Sequence, residues 1–317
     1  MTEFTPDDQP KVDSRLLRGL LQTGRRHAVR LILFVALYAA SAYAVCWMAR
    51  SLHGRDAAWI LAAAPLYLIA AASLHGISLF THEAVHGTLS RNRRWNAVLG
   101  AVCAIPVLQN FSAYRVLHLS HHEHLGEEGD PDHYPNYTRW SWMVFLMNWG
   151  RLLVGYPVYI VAIPVLGFKH GTWRDRRGII LEVICSGVFL FGLLALPGTV
   201  LIHAWLIPML IINTFVNIRG MSQHTLLEQF HGDTVRGTRT ILTNPITAFF
   251  MCNENYHLEH HLHPGVPWYH LPRVSQILRA ELIARDAPFI PSYFAFVREF
   301  VVGSVRRSPL GKMTNDE

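Results

Sequence analysis

The sequence predicts an all-α integral membrane helical bundle of about four transmembrane helices, carrying a histidine-rich cap on its cytoplasmic side. Three observations lead there. Apolar residues make up 51% of the 317-residue chain and charged residues only 16%, and the apolar residues fall in long runs. Arg and Lys border those runs, as they do where membrane helices face the cytoplasm. Histidines cluster at helical spacing: His257, His260 and His261 stand at i, i+3 and i+4, His118, His121 and His122 repeat that spacing, and His82 and His86 form an i, i+4 pair.

In chain order, the first 29 residues are polar and include Lys11, Arg15, Arg18, Arg25 and Arg26, so no cleavable signal peptide is expected. The first apolar run, Leu31 to Ala49, is long enough to cross a hydrocarbon core. The second, Ala57 to about Phe80, continues without a breaker into the His82–Gly87 segment. One helix over both would extend past the bilayer and carry His82 and His86 into water, with His75 on nearly the same face. His75 is expected either to line the approach or to be a satisfied polar residue inside the bundle. The segment Trp95 to Leu108, interrupted by Gly100 and Pro106, is short and suits a re-entrant or interfacial element.

If all clusters bind one centre, the chain must cross the membrane an even number of times between the second and third clusters. Three apolar segments lie there. Met143 to Phe168 contains Arg151, Pro157 and Pro164 and is bordered by Trp140, Trp142 and Trp149, which places it along the interface. Ile179 to Leu196 and Thr199 to Ile218 make a hairpin turning at Pro197–Gly198, with Arg174, Arg176, Arg177 and Arg219 at its open end. Four spans result, with both termini and every histidine cluster cytoplasmic. Only the two polar ends lack a folding pattern, and no repeat is visible beyond the histidine spacing.

Composition excludes other classes. A formal charge of +6, scattered along the chain, does not suit nucleic-acid binding. Cys46, Cys103, Cys185 and Cys252 form no C-x-x-C pair and read as reduced packing residues, neither a disulfide framework nor iron–sulfur ligands.

An imidazole cluster is costly unless something binds it, because every ring has a donor and an acceptor to satisfy and repels its neighbours when protonated. A transition metal answers both needs. His82-Glu83-Ala84-Val85-His86 is an H-E-x-x-H, the zinc-protease pattern. A catalytic zinc uses only three protein ligands, however, and eight clustered histidines fit two ions better than one. By ligand type an all-imidazole set suits iron, zinc, copper or nickel. A zinc intramembrane protease and a non-catalytic metal-handling protein therefore stand beside an oxidase as readings.

H-E-x-x-H-G at His82, H-x-x-H-H at His118 followed by Gly126 and Asp130-Pro131-Asp132, and N-Y-H-L-E-H-H-L-H-P from Asn255 together resemble the membrane-bound fatty acid desaturase/hydroxylase superfamily. The resemblance runs from about His75 to Pro272. Arg219 to His224, Arg239-Thr240 and Val266 to Pro272 are similar to its bacterial acyl-desaturase and carotenoid-ketolase branches. It implies a non-haem di-iron centre, two Fe ions using O2 and two electrons to attack an unactivated C–H bond of a lipid. The expected outcome is desaturation of an acyl lipid, with hydroxylation, ketolation or epoxidation as alternatives on the same scaffold. It further implies a membrane-bound desaturase domain over 30–300, between a polar segment 1–29 and a basic, polar tail 301–317. Gln223 stands where related bacterial sequences often carry Glu.

The implied ligands are His82, His86, His118, His121, His122, His257, His260 and His261. His224 is expected as a ninth, since it follows the last span closely and two irons that keep a position free could use nine imidazoles; His231 is its competitor. Glu83, Asp130, Asp132 and Glu259 are the carboxylates placed to orient the rings and share their charge, although Asp130-Pro131-Asp132 equally reads as a turn. His124, His133, His231, His263 and His270 have no spacing argument. No ferredoxin-like cysteine pattern or cytochrome b5 haem motif is present, so electrons are expected from a separate ferredoxin, flavodoxin or cytochrome that a basic surface would attract.

Overall fold

The computed structural model describes residues 9–52, 58–227 and 232–306. Its helices, in order, are α1 (Ser14–Leu20), α2 (Arg26–Leu52), α3 (Ala58–Val85), α4 (Arg93–Ala104), α5 (Phe111–Glu123), α6 (Ser141–His170), α7 (Trp173–Leu194) and α8 (Gly198–His224), the last containing a π turn at Leu201–Leu206. Short α9 (Thr234–Gly237), α10 (Pro245–Phe250) and α11 (His257–Leu262) follow, then α12 (Leu271–Ala284) and α13 (Tyr293–Arg306). The one sheet among the described residues is a parallel pair, β1 (Thr240–Ile241) with β2 (Phe289–Ile290), which the sequence did not announce.

The chain is helical and membrane-embedded, as its composition requires. Among the described residues, α2, α3, α6, α7 and α8 are long and apolar enough to cross a bilayer. α7 shows why they must: Leu181, Val188, Phe191 and Leu194 all stand exposed, and a helix apolar on every side has to meet lipid. Four of the five are the expected spans; the fifth is α6, expected at the interface, so four is an approximate count. His122 near the end of α5 and His224 at the end of α8 meet in one cluster, which demands an even number of crossings by α6, α7 and α8. α4 and α5 bend by 104° on one another across Pro106–Asn110, as a re-entrant segment does.

α6 is kinked at Val154, whose φ/ψ of −136° and 24° are not helical. Pro157 has no N–H to give Leu153 O. Asn213 Nδ2 from α8 donates to that carbonyl instead (2.8 Å), and Asn217 Nδ2 donates to Leu152 O (3.3 Å). Beyond the kink, Gly167 lets α6 lie against α5, since a Cβ there would stand 2.6 Å from the Ala113 backbone. α7 starts with a Thr172/Asp175 capping box, and Asp175 also pairs with Arg115 of α5.

The described part of the N-terminal segment packs on the cap. Val12 and Leu20 are buried in the same apolar cluster as Val274, Leu278 and Leu282 of amphipathic α12. His27 Nδ1 accepts a hydrogen bond from Trp268 Nε1 (3.2 Å), so α2 begins inside the cap, at Arg26. At the other end α13 continues to Arg306, past the expected boundary at 300, because Phe296 and Phe300 pack on Met221.

Candidate metal centre

Each cluster reaches the centre from a helix end. α3 supplies His82 and, one turn on, His86, after which Gly87 (φ +73°) turns the chain away. α5 presents His118, His121 and His122 on one face, α8 closes on His224, and the single turns of α11 present His257, His260 and His261. Asn255 fixes α11 to β1: Ile241 N–H donates to Asn255 O (2.8 Å) and Asn255 Nδ2 to Ile241 O (2.9 Å).

All nine expected histidines converge. In one group, ligand atoms of His82, His86, His118, His122 and His260 all lie within 4.8 Å of one another. The Nε2–Nε2 separations there are 3.0 Å for His86–His118, 3.1 Å for His118–His122 and 3.2 Å for His122–His260. In the other, His121, His224 and His261 meet. His257 joins them, its Nε2 standing 3.1 Å from those of both His224 and His261. The groups touch where the His122 and His261 rings stack, centroids 4.0 Å apart.

Proton positions show what this arrangement needs. His121 Nδ1 donates to Asp130 Oδ1 (2.8 Å) and His224 Nδ1 to Gly237 O (3.0 Å). A proton on Nδ1 leaves His224 Nε2 as an acceptor, and it faces His121 Nε2 at 3.3 Å. His82 Nε2 is likewise buried with no hydrogen-bond partner among the described residues. A bound cation would satisfy ring nitrogens gathered this closely. Burial first, and then the neighbouring imidazoles, pushes His260 and His261 far below the ordinary histidine range, which keeps both neutral and able to ligate. The donor set fits borderline transition ions such as iron.

The carboxylates divide. Asp130 orients His121 and also accepts from the Gly126 and Asp132 amides (2.8 Å each); burial would raise it, but these partners hold it below the usual carboxylate range. Asp132 is half exposed and lies 3.8 Å from Arg151. Glu83 accepts from the Thr88 hydroxyl (2.7 Å) and the Trp268 amide (3.4 Å), and Glu259 accepts from the Thr240 hydroxyl (2.6 Å). These two lock the first and third boxes to the surrounding chain. With Glu83 so engaged, the H-E-x-x-H segment does not offer a free base, and the protease reading is not favoured.

Sequence reasoning missed Glu254. Its two oxygens serve different groups, Oε1 lying 3.1 Å from His82 Nδ1 and Oε2 3.6 Å from His257 Nδ1, with Arg219 Nη1 also 3.6 Å from Oε2. Burial would raise this carboxyl, but His82, His257 and His260 hold it well below its ordinary range. Its position three residues before His257 was the available signal. His75 neither lines the centre nor is satisfied: it is buried beside Phe215, with no partner for either ring nitrogen among the described residues. His124 bonds Ser120 O (3.1 Å), and His231 lies outside the described residues.

A cavity of about 470 Å³ opens onto His82, His118, His121, His224 and His257, bounded by α3, α5, α6 and α8.

Residues 57–293 match the family described as fatty acid desaturase. Among curated proteins, the chain is 29% identical to the dihydrorhizobitoxine desaturase of Bradyrhizobium elkanii, over 76% of this chain and 74% of that protein. It is 27% identical to the beta-carotene ketolase of Paracoccus sp. (strain PC1), over 79% and 96%. It is also 27% identical to the sphingolipid delta(4)-desaturase/C4-monooxygenase DES2 of Mus musculus, over 73% and 69%.

Proposed function

The chain belongs to the fatty acid desaturase family and is a membrane oxidoreductase of lipids, and we propose that it introduces a C=C bond into an acyl lipid, using O2 at a non-haem di-iron centre. The observation that carries this is the meeting of nine histidines, in groups of five and four, at the wall of one cavity.

In this reading His82, His86, His118, His122 and His260 hold one iron, and His121, His224, His257 and His261 the other. Bound there, the iron pair would supply O2-dependent oxidation of an unactivated C–H bond. The protein's own contribution is placement. Asp130, the Gly237 carbonyl and Glu254 fix ring orientation through Nδ1, and the two carboxylates set negative charge behind the imidazoles. Leu79, Val154 and Val158 line the cavity, keep water from the substrate chain and hold it against the histidine wall. The cap and both termini are assigned to the cytoplasm from the arginines at the helix ends, among them Arg26, Arg93, Arg94 and Arg174. A separate ferredoxin, flavodoxin or cytochrome would dock on that basic face and deliver electrons.

Mass spectrometry of lipids from cells expressing the chain tests this, alongside metal analysis of the purified protein. Loss of two hydrogens from a lipid, with iron bound, is the expected result. Gain of oxygen would reassign the chain as a hydroxylase or ketolase, and zinc with a cleaved peptide would overturn the oxidase reading.

A further inference from the structure

The cavity has two unlike ends. One is apolar and runs along α6 past Val154, Val158, Ile163 and Leu166, toward the contact of Gly167 with Ala113. From Ala113 to His118, the first cavity histidine on α5, the helix rises about 7.5 Å, so this arm is about that long beyond the histidines. The other end lies beside His121 and His224 and is walled by Arg151, Arg219, Gln223, Asp132 and Tyr134. A recess of about 60 Å³ continues from it, sharing His121, His224, Arg151 and Tyr134 and adding Asp130 and Asn148.

Two hydrogen-bond donors at that second end have no partner among the described residues. Gln223 is only 6% exposed, lines the cavity, and its Nε2 has no partner among the described residues. Arg219 Nε likewise has none, its guanidinium reaching Glu254 only through Nη1. Arg151 bonds the Tyr134 side chain and has its nearest carboxylate, the half-exposed Asp132, 3.8 Å away, so it brings positive charge to this end. A buried donor left unpaired is costly, and a site lined with such donors favours a ligand that accepts from them over an isostere that cannot.

Resting on the oxidase reading above, we propose that the substrate is an amphiphile whose oxygen-bearing head group, a carbonyl, hydroxyl or carboxylate, binds Gln223 and Arg151 beside the histidines while its apolar tail lies along α6. The oxidised carbon is then within a few bonds of the head group. A carbon in the middle of a long chain needs an apolar arm on each side of the histidines, and this cavity has one. Gln223, buried at the cavity wall with its amide donor unpartnered among the described residues, is the specificity-determining residue. Its amide would donate to the substrate's acceptor.

Two measurements test this. Oxidised lipids from membranes containing the full-length chain are fragmented to locate the change; a position next to a carbonyl, hydroxyl or carboxylate is expected, and a mid-chain position overturns the proposal. Separately, thermal unfolding of the protein in nanodiscs is followed with sodium dodecanoate, 1-dodecanol or dodecane. Both head-bearing probes should stabilise beyond dodecane. Gln223→Leu should raise the half-effective concentration of both roughly ten-fold, and Arg151→Met that of dodecanoate more than that of dodecanol. Stabilisation by dodecane equal to that of the other two sinks the head-group site. Head-dependent stabilisation with no oxidised lipid in any sample supports the site and counts against the oxidase reading instead.

Discussion

In the group of four, three rings are held from behind, His121 by Asp130, His224 by the Gly237 carbonyl and His257 by Glu254, whereas in the group of five only His82 has such a partner among the described residues. The two groups reach order by different means. Five imidazoles on three helix ends converge because packing aims them, and one more ligand than the other group has makes each less critical. In the group of four, two imidazoles, His121 and His224, are instead oriented by hydrogen bonds at Nδ1, and His257 faces the Glu254 carboxylate at 3.6 Å. Number substitutes for backing.

The sharpest way to break that comparison is to remove one ligand from each group. His257→Ala should leave three imidazoles and lose that iron, whereas His86→Ala leaves four and should retain most of its metal, although turnover falls in both; iron per chain by elemental analysis decides. Equal iron loss would show that the groups are equivalent. Glu254→Gln should weaken metal binding at both positions, by roughly 10–100-fold each, because one carboxylate backs a ring in each group. Asp130→Asn should produce a loss of that size at one position only, seen as retention of about half the iron under a graded chelator challenge. Thr240→Val leaves Glu259 buried without that hydroxyl. It should cost about 1–3 kcal/mol of stability in thermal or denaturant unfolding, with iron content unchanged.

What the sequence made legible follows from how local each signal was. Histidines at i, i+3 and i+4 share a face of any helix, so the boxes could be read without knowing how the helices pack, and apolar runs announce spans in the same way. His224 needed the additional step of asking on which side α8 ends. Glu254 was hidden because its orientation comes from the loop before it, where Cys252 (φ 46°) and Asn253 (φ 54°) both adopt left-handed backbone and turn the carboxylate inward. Glu83 and Glu259 were equally well spaced in the sequence but bond the hydroxyls of Thr88, in the turn just after the first box, and Thr240, nineteen residues before Glu259. Asp130 and Asp132, two residues apart, differ in burial, and only Asp130 bonds a ring. The folding of the N-terminal segment rests on α12, more than two hundred residues away, and no local pattern could show it.

The distance along the chain between the first and last ligands, from His82 to His261, has a consequence for biogenesis. Neither group exists until α11 has closed over α3 and α5, because His260 completes one and His257 and His261 the other. Metal affinity therefore favours only the finished topology and contributes nothing to a chain still inserting its hairpin. An assembly that stalls after α8 has its spans but no site. On the proposed di-iron reading ion capture would be the last step of folding, and a chain starved of metal should sit in the membrane with its spans formed and its cap loose.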